Sequence, residues 1–142
     1  MLRSDIERKV ICGVAETARL PASAYQPDIT AQVYAVLARK AEWVIAAGHS
    51  AIVDAVFSKG EERSAIETLA VSSRTPFNGL FLVADLETRV RRVDARINDA
   101  SDADVTVAQR QEDYDLAAIG WKHIDASGTP EQTLKRAKAV IA

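Results

Sequence analysis

Apolar positions along this chain alternate between two rhythms. Ile29, Val33, Val36, Leu37, Ala41, Val44 and Ile45 recur at helical spacing. They predict one long helix over roughly 28–47, with Asp28 as its N-cap and Gly48 as its stop. Ala51, Ile52 and Val53 then form a compact apolar run closed by Asp54. A run of this kind between helices predicts a buried parallel strand at 50–55. The alternation repeats. Ser58, with Glu61 three residues on, opens a helix over about 59–73, striped by Ile66, Leu69 and Ala70 and broken at Pro76. Residues 77–84 predict a second apolar strand, Asp85 caps a helix from Leu86 to about Ile97, and 98–104 are polar and turn-rich. A short helix over 105–114 and a strand over 121–125 follow, and a last helix begins with Thr129 as N-cap and Pro130 in its first turn. At the front, Met1 and Leu2 read as the tail of a strand. Ile6 to Ile11 read as a helical turn or two ending at Gly13. The segment 13–27, with Pro21 and Pro27, reads as mostly irregular.

Strand and helix in strict alternation predict an α/β fold: a parallel sheet between two layers of helices, as one domain over residues 1–142. Composition narrows the function more than the fold. A formal net charge of -2 supplies no basic field for a long nucleic acid. No apolar run approaches the roughly 20 residues that span a bilayer, and Met1 to Asp5 lack signal-peptide anatomy, so a cytoplasmic protein away from membranes is expected. Cys12 is the single cysteine, and His49 and His123 lie far apart in sequence. A disulfide and a cysteine- or histidine-based metal site are therefore not expected.

Three groups of residues are candidates for chemistry. Asp54 closes a predicted strand, where ligands bind in open α/β sheets, although a carboxylate there also serves as a simple turn residue. Asp5 and Arg8 are three apart just past the first strand, on one helical face. A carboxylate there can accept a proton from an attacking hydroxyl and an arginine can neutralise a phosphate; alternatively the two form a local ion pair. Arg89, Arg92 and Arg96 share a face, either as a solvated basic stripe or as a nucleotide clamp beneath a lid made of Asp99 to Asp104 with Arg110 and Gln111. Trp43, Trp121, His123 and Cys12 read as packing residues.

In combination, Asp5-x-x-Arg8, Val53-Asp54 with Glu62-Arg63 downstream, and Arg92-x-x-x-Arg96 before a polar segment resemble the P-loop kinases of small substrates. Within these the chain is similar to the group of polynucleotide 5′-kinase, chloramphenicol phosphotransferase and zeta-toxin-like kinases. It is most similar to the kinase domain described as an AAA-type ATPase. The tracts 2–9, 48–57, 99–104 and 121–127 carry the likeness, which extends over essentially the whole chain. The resemblance implies ATP and Mg2+, phosphoryl transfer to a hydroxyl of a small molecule or nucleotide, and a role for each matching residue. Asp5 would be the general base and Arg8 would hold the acceptor. Asp54 would stand near the metal or acceptor, and Arg92 and Arg96 would touch the nucleotide.

One departure is large. The family cradles phosphate on Gly-x-x-x-x-Gly-Lys-Ser/Thr, and these 142 residues contain no Gly-Lys dipeptide. The expectation is a P-loop kinase-like fold short of its first strand–loop–helix unit. It would be weak or inactive in phosphotransfer, with exposed sheet edges that a homodimer would cover. The alternative is a non-catalytic ligand-binding or interaction module built on the same scaffold.

Overall fold

The computed structural model describes residues 1–95, 99–102 and 119–141. The chain divides into two compact units, Met1–Pro76 with Asn98–Asp102, and Phe77–Ile97 with Ala103–Ala142.

In the first unit, β1 (Leu2–Arg3) runs parallel to β2 (Val53–Asp54), with Leu2 opposite Val53 and Arg3 opposite Asp54. The strand expected over 50–55 is thus shorter, for a mechanical reason. Its partner β1 offers only two residues before helix α1 (Ser4–Ile11) begins, and Ile52, outside the ladder, is 65% exposed. α1 ends as expected at Gly13, which takes φ 68, a conformation open to glycine. The irregular stretch that follows contains a short 3-10 turn, Ala22–Tyr25.

Helix α2 (Pro27–Ala46) forms the spine of the unit. Val33, Leu37 and Ala41, four residues apart, are buried along one stripe, the spacing that brings side chains onto one face. Its N-cap is Gln26, not Asp28. Pro27 occupies the first turn, where its missing N–H costs nothing. Asp28 lies one residue inside, where its charge favours the helix dipole. The stop at Gly48 stands, with φ 81 and N–H groups of Gly48 and His49 donating back to Ile45 and Val44. α1 packs on α2, and Lys40 Nζ donates to both oxygens of the buried Glu7 at 2.7 Å.

Helix α3 (Gly60–Ser72) also starts one residue later than Ser58 and Glu61 suggest. Lys59 is the N-cap, and its N–H donates to Glu62 at 3.1 Å. The delay follows from the residues in front. Phe57 has φ 49 with its N–H donating to Tyr34 Oη at 3.0 Å, and Arg63 Nη1 takes the carbonyls of Phe57 and Ser58. The helix ends before Pro76, through Arg74 at φ 51.

In the second unit, β3 (Leu80–Val83) pairs parallel with β4 (Lys122–Asp125), from Leu80 opposite Lys122 to Val83 opposite Asp125. Helix α4 (Leu86–Asp94) is capped as expected by Asp85, whose Oδ1 accepts the Thr88 N–H at 2.7 Å. Helix α5 (Pro130–Ile141) follows Thr129, whose Oγ1 accepts the Gln132 N–H at 3.3 Å while Gln132 Oε1 accepts the Thr129 N–H at 3.0 Å. A Cβ on Gly79 would collide with the Trp121 ring, which packs edge-on against Phe77 at 5.7 Å. Gly79→Ala is expected to cost about 1–3 kcal/mol by overpacking, read in a denaturant titration by Trp fluorescence.

The α/β class and four parallel-pairing strands match the sequence pattern. The three-layer α/β/α arrangement is not seen among the described residues. The described residues hold two separate two-stranded sheets, because none of them supplies a strand bonded to both pairs. The helix expected over 105–114 lies outside the described residues. Among the described residues no helix is long and apolar enough to cross a membrane.

Candidate active site

The parallel register sets Arg3 beside Asp54, and the helix that starts at once after β1 brings Asp5 back toward both. Arg3 thereby becomes the hub of three carboxylates. Its Nη2 donates to Asp99 Oδ1 at 3.0 Å, its Nε lies 3.5 Å from Asp54 Oδ2, and Nη2 is 4.0 Å from Asp5 Oδ2. The hydrogen bond that Arg3 donates to Asp99 leads the influences that raise the Arg3 pKa, so its charge is permanent. Asp5 and Asp54, separate candidates in the sequence pattern, are brought together through Arg3, which that pattern does not single out.

Burial raises the pKa of Asp5. Arg3, a hydrogen bond from the Ser101 side chain and Arg8 oppose that rise, while Asp54 adds to it. A carboxyl with a raised pKa, placed in the first turn of a helix past the end of a strand, has the character of a proton acceptor.

Arg8 does not share that space. Its Nη1 donates to Ala24 O at 2.7 Å and Thr30 Oγ1 at 3.2 Å, and its guanidinium stacks over Tyr25 at 4.7 Å. At 7% exposure it clips α1 to the 3-10 turn and the start of α2.

The next residue, Lys9, is 1% exposed. Its Nζ donates to Ala18 O and to Asp102 Oδ1, the latter at 2.8 Å. Asp102 also accepts from Tyr25 Oη at 2.6 Å and from the Leu20 N–H at 3.1 Å. Burial pushes the Asp102 carboxyl up, but the bonds from Lys9, Tyr25 and Leu20 outweigh it and hold the group below the ordinary range. The Tyr25 hydroxyl is raised, first by burial and then by Asp102. Asp99 and Asp102, expected over a ligand as part of a lid, are here fastened within the first unit. Lys9, Ser101 and Tyr25 were not singled out from sequence; the one available signal was a lysine inside the charged turn Glu7-Arg8-Lys9, at a position that α1 turns inward.

Beside this cluster lies a half-open cavity of about 360 Å³, walled by Ala31, Tyr34, Ala38, Val53, Phe57 and Ile66 among others. Thr30, which receives Arg8, lines it, and Val53 precedes Asp54. Tyr34 and Phe57 meet edge to face at 5.3 Å. In the second unit Arg92 Nη2 donates to Gly128 O at 2.5 Å. Arg96, Arg110 and Gln111 lie outside the described residues.

A family model described as an AAA domain matches residues 1–115. The chain belongs to this AAA domain family. Membership brings nucleotide binding of the P-loop, kinase-like kind at the level of the family. Neither a curated protein nor a solved structure matches the chain. AAA domains of this kind work with nucleotide and Mg2+, so the fit of the magnesium ion can be put to the residues present. Asp5, Asp54 and Asp99 surround a guanidinium, not an open cavity, and among the described residues no three His, Cys, Asp or Glu side chains gather to hold a metal. With no Gly-Lys-Ser/Thr hydroxyl in the sequence either, these residues do not form the magnesium site.

Proposed function

We propose that this AAA domain activates a hydroxyl acceptor for phosphoryl transfer from ATP, with Asp5 as the general base. The observation that carries the proposal is the Asp5 carboxyl itself, half-buried at a strand end, raised in pKa by that burial, and facing the Arg3 guanidinium at 4.0 Å. In the step, the acceptor oxygen attacks the γ-phosphorus and its proton passes to Asp5. The bond from the γ-phosphorus to the bridging oxygen breaks and ADP leaves. Arg3 keeps Asp5 from drawing the neighbouring carboxylates into mutual repulsion. The phosphate cradle is not encoded in these 142 residues, so transfer by this chain alone is weak.

The acceptor is held by its body rather than by a phosphate of its own. Arg8 is committed to Ala24, Thr30 and Tyr25, and the adjoining cavity is walled mainly by apolar side chains, with Lys59, Glu61 and Glu62 also on its lining. Ala35→Phe, which fills that cavity, is expected to weaken the acceptor about tenfold or more with kcat unchanged, read as KM or as a calorimetric Kd.

The deciding assay follows radiolabel from γ-labelled ATP into amino alcohols, sugars and nucleosides. It is run with this chain and with the chain extended by any in-frame sequence its gene carries upstream. Transfer that disappears in Asp5→Asn supports the proposal. A second reading, a non-catalytic ligand-binding module, is favoured by the buried engagement of Arg8. It predicts a thermal shift with ATP or ADP and no transfer in either form of the chain.

A further inference from the structure

The cavity lined by α2, α3 and the chain between β2 and α3 has an uneven wall. Three of its lining residues are buried, Leu37 at 1%, Phe57 at 5% and Ile66 at 9% exposure, and all three are apolar. They form its floor. The charged lining residues Lys59 and Glu61 are exposed and stand at the mouth, while Glu62 accepts the Lys59 N–H at 3.1 Å. A ligand therefore enters this cavity with an apolar end first.

Phe57 differs from its two neighbours on the floor in its backbone. Leu37 and Ile66 stand in regular helix. Phe57 has φ 49, in the left-handed region that a bulky residue enters only at a cost. Glycine would make the same turn without that cost. The surroundings hold the turn at each of its polar groups. The Phe57 N–H donates to Tyr34 Oη at 3.0 Å, and Arg63 Nη1 donates to the Phe57 carbonyl at 2.8 Å and to the Ser58 carbonyl at 3.1 Å. The Phe57 ring meets Tyr34 edge to face at 5.3 Å. An unfavourable backbone is thus kept three residues past Asp54, together with a ring on the floor of a cavity. The turn alone does not require that ring.

We propose that Phe57 is a specificity-determining residue, whose ring closes the floor of this cavity and restricts the acceptor to an apolar body of one ring. The size follows from the space. The cavity measures about 360 Å³ but is half-open, so only its inner part encloses a ligand. A cavity of about 150 Å³ takes benzene. The enclosed part therefore holds one six-membered ring, and a second, fused ring meets Phe57.

That the ligand is the phosphoryl acceptor rests on the proposed function above, so the test reads binding rather than transfer. Benzyl alcohol and 2-naphthalenemethanol are titrated into the 142-residue chain, and the NMR shifts of the Ala38 and Ile66 methyl groups report occupancy of the cavity. Apolar area alone favours the larger alcohol. The wild-type chain is expected to bind it about tenfold or more weaker than the smaller one. Phe57→Gly keeps the turn and removes the ring, and is expected to bind the larger alcohol at least as tightly as the smaller. A ring that served only to stabilise the fold would give no such gain. A wild-type chain that binds the larger alcohol as well as the smaller overturns the proposal. So does an unchanged preference in Phe57→Gly, and so does a wild-type chain in which neither alcohol moves the two methyl groups. If the amide spectrum of Phe57→Gly collapses, Phe57→Leu, with a shorter side chain on the same floor, is read by the same outcomes. A reversed preference in a chain that transfers no phosphate leaves Phe57 as the specificity residue and rejects only the identity of the ligand as a phosphoryl acceptor.

Discussion

Asp102→Ala is expected to lower the unfolding free energy by about 3–5 kcal/mol, because it leaves the Lys9 ammonium buried without its counter-charge. The comparison is with a surface pair, worth about 0–1 kcal/mol. Lys9 is 1% exposed and the Asp102 side chain 11%, so water cannot replace the lost partner. The same substitution releases Tyr25 and the Leu20 N–H, which spreads the damage to the irregular stretch before α2. Lys9→Met with Asp102→Leu removes both charges, and most of the loss should be recovered, as it is when a buried pair gives way to apolar groups. A urea double-mutant cycle measures the coupling, and a sum of single effects with no interaction would refute the buried pair. The pH dependence has a fixed sign. The Asp102 carboxyl is held below its ordinary value in the fold. Its contribution is therefore complete above about pH 4, the unfolded value, and is lost as pH falls through the folded one. The gap between wild type and Asp102→Ala should narrow on acidification.

Periodicity made the helices legible, because a stripe such as Val33, Leu37 and Ala41 is a local property of one segment. Caps such as Asp85 and Thr129 were legible for the same reason. Strand lengths were not, since the length of β2 is fixed by how soon α1 starts after Arg3, a fact about its partner. The site divides along the same line. Asp5 and Asp54 announced themselves by standing at strand ends. Arg3 did not, because its part as hub depends on Asp99 arriving from 96 residues away. Arg8 looked like a ligand-binding arginine from its spacing. Its spacing is right for one face, but the carbonyl of Ala24 reaches it first. The polar, turn-rich pattern at 99–104 points to a lid over the ligand, whereas Asp99 and Asp102 each meet a cation from β1 or α1. Charge runs state what a segment can pair with, and only the fold states what it pairs with.

Asp5→Asn is expected to separate activity from stability. Proton transfer by a positioned carboxylate contributes about 10²–10⁴ in rate, so transfer by any active form of the domain should fall by that factor. Stability should move the other way. Burial raises the folded pKa of Asp5 above its unfolded value. Between those two values the folded chain holds a proton that the unfolded chain has released, so unfolding becomes easier as pH rises through the window. Above the folded pKa the native state carries a partly desolvated carboxylate, and the neutral amide removes that penalty. The variant should thus equal wild type below about pH 4 and exceed it at neutral pH, less what Arg3 loses with one of its three partners. Denaturant midpoints across pH 3–8, set beside transfer rates, make the comparison. A variant that loses both activity and neutral-pH stability would mark Asp5 as a structural partner of Arg3. A variant that gains stability as it loses transfer marks a carboxylate kept in an unfavourable place because the acceptor needs it there.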